Sequence, residues 1–271
     1  MRLSKRKCRY LSLLLVLTLV FLLFVWYELV FLHKPEQPSS TDSAKPTFEE
    51  TKELPVIKRT LREEEQVQVI EAKMYSIISE DSAQYSVYVF FPSWSTPLVE
   101  NDRQQSSASV IKIFILSTAY EMAEKGELDL DEKIRVRRKD MVGGAGVLNG
   151  RAGEPVLPIR ELLRLMITES DNTATNVMID RRTFARIQDY CDTHGFTDTV
   201  LRRKMMDDKA LRAGRDNLTT VKDVGEWMRR LRTRELVSPS ADAAMEKILF
   251  AQTDTECFPC ALPQAGIAHK T

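Results

Sequence analysis

The longest apolar run in the chain comes first. Tyr10 to Tyr27 carries no charge, and Leu29 to Leu32 continues the run after Glu28. About 20 apolar residues cross a bilayer, so residues 10–32 are expected to form a transmembrane helix. The run is longer than the core of a cleavable signal peptide, and no small-x-small cleavage site follows it, so a signal anchor is expected. Arg2, Lys5, Arg6, Lys7 and Arg9 make residues 1–9 a basic segment that stays cytoplasmic by the positive-inside rule. The rest of the chain is then extracytoplasmic, on a single-pass protein of the cell membrane. Residues 33–58 are rich in Pro, Ser, Thr, Glu and Lys, a composition that buries no core and reads as a flexible linker. A folded domain is expected over residues 59–271.

Within that domain the periodicity changes from segment to segment. Leu61 to Ile78 has helical spacing in Val67, Ile70, Met74 and Ile77. Tyr85 to Phe91 is β-branched and aromatic and predicts a strand, with Thr96 to Val99 as its hairpin partner. Val110, Ile111, Ile113, Phe114, Ile115 and Leu116 predict a helix buried nearly all round, running to about Lys125 with Gly126 as its stop. Ser106, Ser107 and Ser109 are candidate N-caps for it. Val142 to Gly153 is a Gly-rich loop. Pro158 suits the first turn of a helix ending at Thr168. Ser170-Asp171-Asn172 breaks that helix, Asn172 to Asp180 begins another, and Thr183 to His194 is predicted as a third, stopped by Gly195. Arg202 to Asn217 is expected to be a surface loop. Thr220 to Arg232 and Ala241 to Phe250 are helical, and Ile267 to Thr271 reads as the start of a strand.

The chemistry gathers on this frame. Ser109 and Lys112 are three apart, which puts a hydroxyl beside an amine on one face of the first turn of a buried helix. The amine can take the hydroxyl proton, and the helix N-terminus can hold a developing negative charge. Ser-x-x-Lys alone arises about once in a chain of this length, and Ser4 to Lys7 is such a copy. Ser170-Asp171-Asn172 and Lys270-Thr271 stand in order behind the second copy. In this company it resembles the penicillin-recognising serine hydrolases, and class A β-lactamases in particular. Arg160-Glu-Leu-Leu-Arg-Leu-Met-Ile-Thr-Glu-Ser-Asp-Asn-Thr-Ala-Thr-Asn176 is similar to that family's central helix pair. Gly126-Glu-Leu-Asp-Leu-Asp-Glu132 resembles the turn after its nucleophile helix. Gly214-Arg-Asp-Asn-Leu-Thr-Thr220 resembles the segment leaving its active-site loop.

The resemblance covers roughly residues 61–271. It implies an α+β sandwich with a helical subdomain and an antiparallel sheet, incomplete at its C-terminus, where the family continues with a glycine, two more strands and a helix. It implies Ser109 as acylated nucleophile, Lys112 as base or proton relay, and Ser170 as proton carrier to the leaving nitrogen. Asn172 would bind the substrate amide, and Lys270 and Thr271 the substrate carboxylate. A free lysine titrates near 10.4, so burial or a neighbouring cation such as Lys270 must lower Lys112. The implied substrate is a β-lactam or a peptidoglycan stem peptide, with no cofactor and no metal, acting as a monomer. One position departs from the pattern. If Arg203 matches the arginine of the active-site loop, the family's deacylating glutamate falls on Met205, and a thioether is no general base. A non-hydrolysing penicillin-binding module, a D,D-peptidase and an inactive fragment therefore stand beside the β-lactamase reading.

Other features carry less. Lys and Arg balance Asp and Glu at 39 each, which argues against a dedicated nucleic-acid binder. Cys257-Phe-Pro-Cys260 has no second ligand pair for zinc and reads as a local disulfide or two inert thiols. His33, His194 and His269 read as surface or linker residues, and Arg229, Arg230, Arg232 and Arg234 as a solvated helix end.

Overall fold

A computed structural model describes residues 59–78, 84–254 and 266–271. The expected anchor, basic segment and linker, and the Cys257–Cys260 pair, lie outside these residues. Two units separate. The first holds helix α1 (Leu61–Ile78) and residues 92–96. Its N-terminus is a capping box: the Glu63 carboxylate accepts the Thr60 N–H at 2.6 Å, and Thr60 Oγ1 accepts the Glu63 N–H at 3.3 Å. Glu63 also accepts the Ser95 N–H at 2.5 Å, and Trp94 donates its indole N–H to Gln66 at 2.8 Å, so residues 92–96 are stitched along the first turns.

The second unit carries the remaining elements. Strands β1 (Val87–Val89) and β2 (Leu98–Glu100) form the expected antiparallel hairpin, with Tyr88 opposite Val99. Strand β3 (Gln105–Ser106) leads into a 3₁₀ turn, Ala108–Ile111, and then helix α2 (Lys112–Glu124). Ser109 thus lies in the tight turn before the helix. Ser107 holds the cap position, but its hydroxyl is buried without a hydrogen bond. From Ile111 to Leu116 no side chain is more than 1% exposed, as the all-round apolar pattern requires. Helix α2 ends where predicted, with Gly126 at φ +70°.

Strands β4 (Lys133–Arg135) and β5 (Val156–Pro158) pair antiparallel, and β5 runs straight into helix α3 (Ile159–Thr168). Pro158 is therefore the residue before the helix, not within its first turn. Asn172–Thr193 is one continuous helix, α4, where two were predicted. Asp180 and Thr183 are weak helix formers but not breakers, the arginines between them favour helix, and the chain continues through all four. Arg202 to Asn217 lies mostly at the surface, as expected, but is not all loop: Met205 and Asn217 are buried, and a short helix α5 (Asp208–Arg212) forms behind the cap of Asp207. Strand β6 (Leu218–Thr219) pairs with β3. Helices α6 (Val221–Thr233) and α7 (Pro239–Phe250) follow. Trp227 of α6 donates its indole N–H to Ser117 of α2 at 3.0 Å inside the core.

Ile267 to Thr271 joins no strand ladder, contrary to expectation, and touches α7 through the His269 N–H on the Leu249 carbonyl at 3.5 Å. The described strands form three separate two-stranded antiparallel ladders. Two predicted surface features are also corrected. His194 bonds Glu121 at 2.7 Å and stacks on Tyr190, and His269 is buried. The arginines at the end of α6 are ion-paired, Arg229 and Arg230 with Glu226 and Arg234 with Glu246. No described helix is long and apolar enough to cross a membrane.

Candidate active site

Five side chains converge where the 3₁₀ turn, the α3–α4 junction and residues 266–271 meet. The Lys112 Nζ lies 3.0 Å from Ser109 Oγ, 2.7 Å from the Ser170 carbonyl oxygen, 3.0 Å from Ser170 Oγ and 3.0 Å from Asn172 Oδ1. Ser170 Oγ donates to Ser109 Oγ at 2.9 Å and accepts from Lys270 Nζ at 3.0 Å. Lys270 also reaches the Thr271 carbonyl. Thr271 is exposed, and its hydroxyl donates to Asp254 Oδ2 at 2.9 Å.

Local sequence explains this geometry. Ser109 and Lys112 face each other because they are one turn apart. Ser170 adopts φ +50°, a left-handed conformation that a residue with a side chain reaches at a cost of roughly 1–2 kcal/mol. That conformation turns both its carbonyl and its hydroxyl onto the same amine. Asp171 caps α4 by accepting the Ala174 N–H at 2.8 Å, while its other oxygen accepts the N–H groups of Val147 and Leu148 at 2.7 and 2.8 Å. Asn172 donates its side-chain N–H to the Gly143 carbonyl at 3.2 Å and its backbone N–H to Ala145 at 3.1 Å. The Gly-rich loop is thereby laid across the junction. Glycine is required for the approach: a Cβ on Gly146 would stand 2.4 Å from the Asp171 carboxylate, at φ +115°.

Lys112 is wholly buried. Burial, assisted by the Lys270 cation and opposed by Asp171, lowers its pKa from 10.5 to about 7. Burial lowers Lys270 to about 8, against the pull of Asp254. Two of the Lys112 contacts, the Ser170 carbonyl and Asn172 Oδ1, can only accept hydrogen bonds. A neutral amine has two N–H groups for them and one lone pair left, on the side of the hydroxyls.

All six residues singled out from the sequence are placed in or beside this site. Three others were not foreseen. Asp171 was read only as part of a triplet, though an aspartate before a helix signals a cap. Asp254 carried no local signal. Asn176 lies one turn beyond Asn172, and its amide exchanges two hydrogen bonds with the Met205 backbone, at 2.8 and 3.0 Å. Arg203 pairs with Asp216 at 2.8 Å and closes the base of the same loop. Asp207 is engaged in capping α5, accepting the Ala210 N–H at 2.9 Å.

A sequence profile of the beta-lactamase enzyme family matches residues 69–271. The chain belongs to the beta-lactamase enzyme family. It is a serine β-lactamase family enzyme with the α+β fold and helical subdomain of that group. A β-lactamase from Sphaerobacter thermophilus DSM 20745 is similar, at 29% identity and TM-score 0.55 over 59% of this chain. The match spans 61% of that protein, less than two thirds of its length. A PBP-A variant in acyl-enzyme complex with penicillin G shares 26% identity, with TM-score 0.68 over 75% of this chain and 77% of that one. TLA-1 extended-spectrum β-lactamase has the same fold at 17% identity and TM-score 0.68, over 76% and 77% of the two chains. Comparison with curated proteins gave no match.

Proposed function

We propose that this chain is a membrane-anchored, extracytoplasmic serine hydrolase that opens β-lactams through an acyl-enzyme on Ser109. The observation that carries the reading is the Lys112 amine, 3.0 Å from Ser109 Oγ, with its other acceptors already supplied. The amine takes the Ser109 proton as Oγ bonds to the lactam carbonyl carbon. The oxyanion forms at the end of a 3₁₀ turn and helix, where the Ser109 backbone N–H is a donor. Ser170, between both amines and the nucleophile, passes a proton to the ring nitrogen as the C–N bond breaks. By resemblance, Asn172 holds the substrate amide, and Lys270 and Thr271 its carboxylate. Residues 10–32 hold the domain at the membrane through the 33–58 linker.

A second reading has the acyl-enzyme persisting, so that the protein binds penicillins without turning them over. Met205 favours it. The bonds from Asn176 to the Met205 backbone, and the Arg203–Asp216 pair, support the register that puts a thioether where a deacylating carboxylate is needed. The likeness to a PBP-A variant in acyl-enzyme complex with penicillin G supports acylation under either reading.

Intact-mass spectrometry of the protein mixed with a penicillin, followed over time, tests both. An adduct on Ser109 is expected, absent in Ser109→Ala; unchanged labelling of that variant overturns the nucleophile. Clearing of the adduct with drug consumption supports hydrolysis, and persistence supports the binding reading. In the latter case Met205→Glu should accelerate clearance by about 10²–10⁴-fold, the usual contribution of a positioned general base.

A further inference from the structure

Strand β4 and the turn after it carry Lys133, Arg135, Arg137, Arg138 and Lys139, all exposed. The alternation of the strand dictates this. Ile134 and Val136 point into the core, at 8% and 0% exposure, and force the two cations between and beside them outward. Nothing on the sheet neutralises them. Across the ladder Arg135 faces Val156 and Lys133 faces Pro158. The acids just upstream are already engaged, Asp131 with Arg160 and Glu132 with Arg181. Glu154 turns one oxygen to the Arg138 backbone N–H at 3.0 Å. No ion pair among the described residues includes any of the five cations. A chain whose formal charge is zero thus concentrates five positive charges within seven residues.

We propose that this basic face docks the domain on anionic phospholipid headgroups of the membrane that carries the chain. The choice of a bilayer as occupant rests on the anchor reading of residues 10–32; the basic face itself does not. A linker of the length of residues 33–58 keeps the domain within reach of the surface. Clustered Lys and Arg near an anionic leaflet are attracted to it within a Debye length.

The test uses the full chain in lipid nanodiscs with and without phosphatidylglycerol, with lysine acetylation read by mass spectrometry. Lys133 and Lys139 are the reporters. Lys209, Lys222 and Lys247, exposed elsewhere, are internal controls. In anionic discs the reporters should be acetylated at least about threefold more slowly than in neutral discs, with the controls unchanged and the difference abolished by high salt. The variant Arg135→Gln/Arg137→Gln/Arg138→Gln retains both reporters and should lose the protection while keeping its penicillin adduct. Equal labelling in the two discs overturns the proposal. So does protection by a soluble polyphosphate alone, which would assign the face to an anionic polymer. If the chain does not co-elute with neutral discs, the anchor reading has failed. The same footprint is then read with the protein added to anionic vesicles, where unprotected reporters overturn the basic-face proposal independently.

Discussion

A buried lysine is costly to charge, and Lys112 is such a lysine. Lys112 is neutral above about pH 7 because burial and the Lys270 cation both oppose its protonation. On the proposed mechanism the base form accepts the Ser109 proton, so acylation should rise with pH and level off once pH passes about 7. Removing the like charge in Lys270→Ala should raise the Lys112 pKa and move that limb to higher pH. Adduct formation timed across pH, at limiting drug, measures it. A limb that stays in place in the variant would show that desolvation alone sets the amine. Much of this was legible beforehand, because Ser109 and Lys112 are linked by one helical turn and Ser170 and Asn172 by one cap. The Asp254–Thr271 contact was not, since it joins positions that only packing brings together.

The α3–α4 junction is the element on which the site depends. Asp171 accepts three backbone N–H groups there, two of them from the loop that crosses it. In Asp171→Ala these donors lose their acceptor in a buried setting, and the protein should lose about 2–4 kcal/mol of stability, read as a lower urea midpoint. A change below about 0.5 kcal/mol, the scale of a neutral surface substitution, would assign the loop's position to other contacts. Element types were largely readable from periodicity: α1, the β1–β2 hairpin and the buried α2 stand where apolar spacing put them. What escaped was decided at a distance. The continuity of α4 past Asp180 comes from packing that outweighs local propensity. The burial of Met205 depends on Asn176, 29 residues earlier, whose amide mimics a strand partner. The strand expected at Ile267 needs a neighbouring strand, and its spacing alone could not supply one.

At the scale of the molecule, two buried amines tie folding to pH. Both Lys112 and Lys270 titrate below the ordinary lysine value in the fold. Between about pH 7 and 10 the unfolded chain therefore binds more protons than the native one, and stability rises with pH. It is lost as pH falls back through the folded-state values. Urea midpoints should climb from about pH 7 to 9, and should climb less in Lys112→Met/Lys270→Met. An equal slope in both proteins would place the linkage elsewhere. Burial pushes Cys191 up from 9.0 and Tyr88 up from 10.0, each to about 12, so both act in the opposite sense from about pH 9 upward. The loop clamped by Asn176 has its own consequence at this scale. On the reading in which the acyl-enzyme persists, each chain would be spent by a single drug molecule. Protection of a cell would then be stoichiometric, growing with the number of copies it carries and ending when they are exhausted, like a titrant reaching its end point.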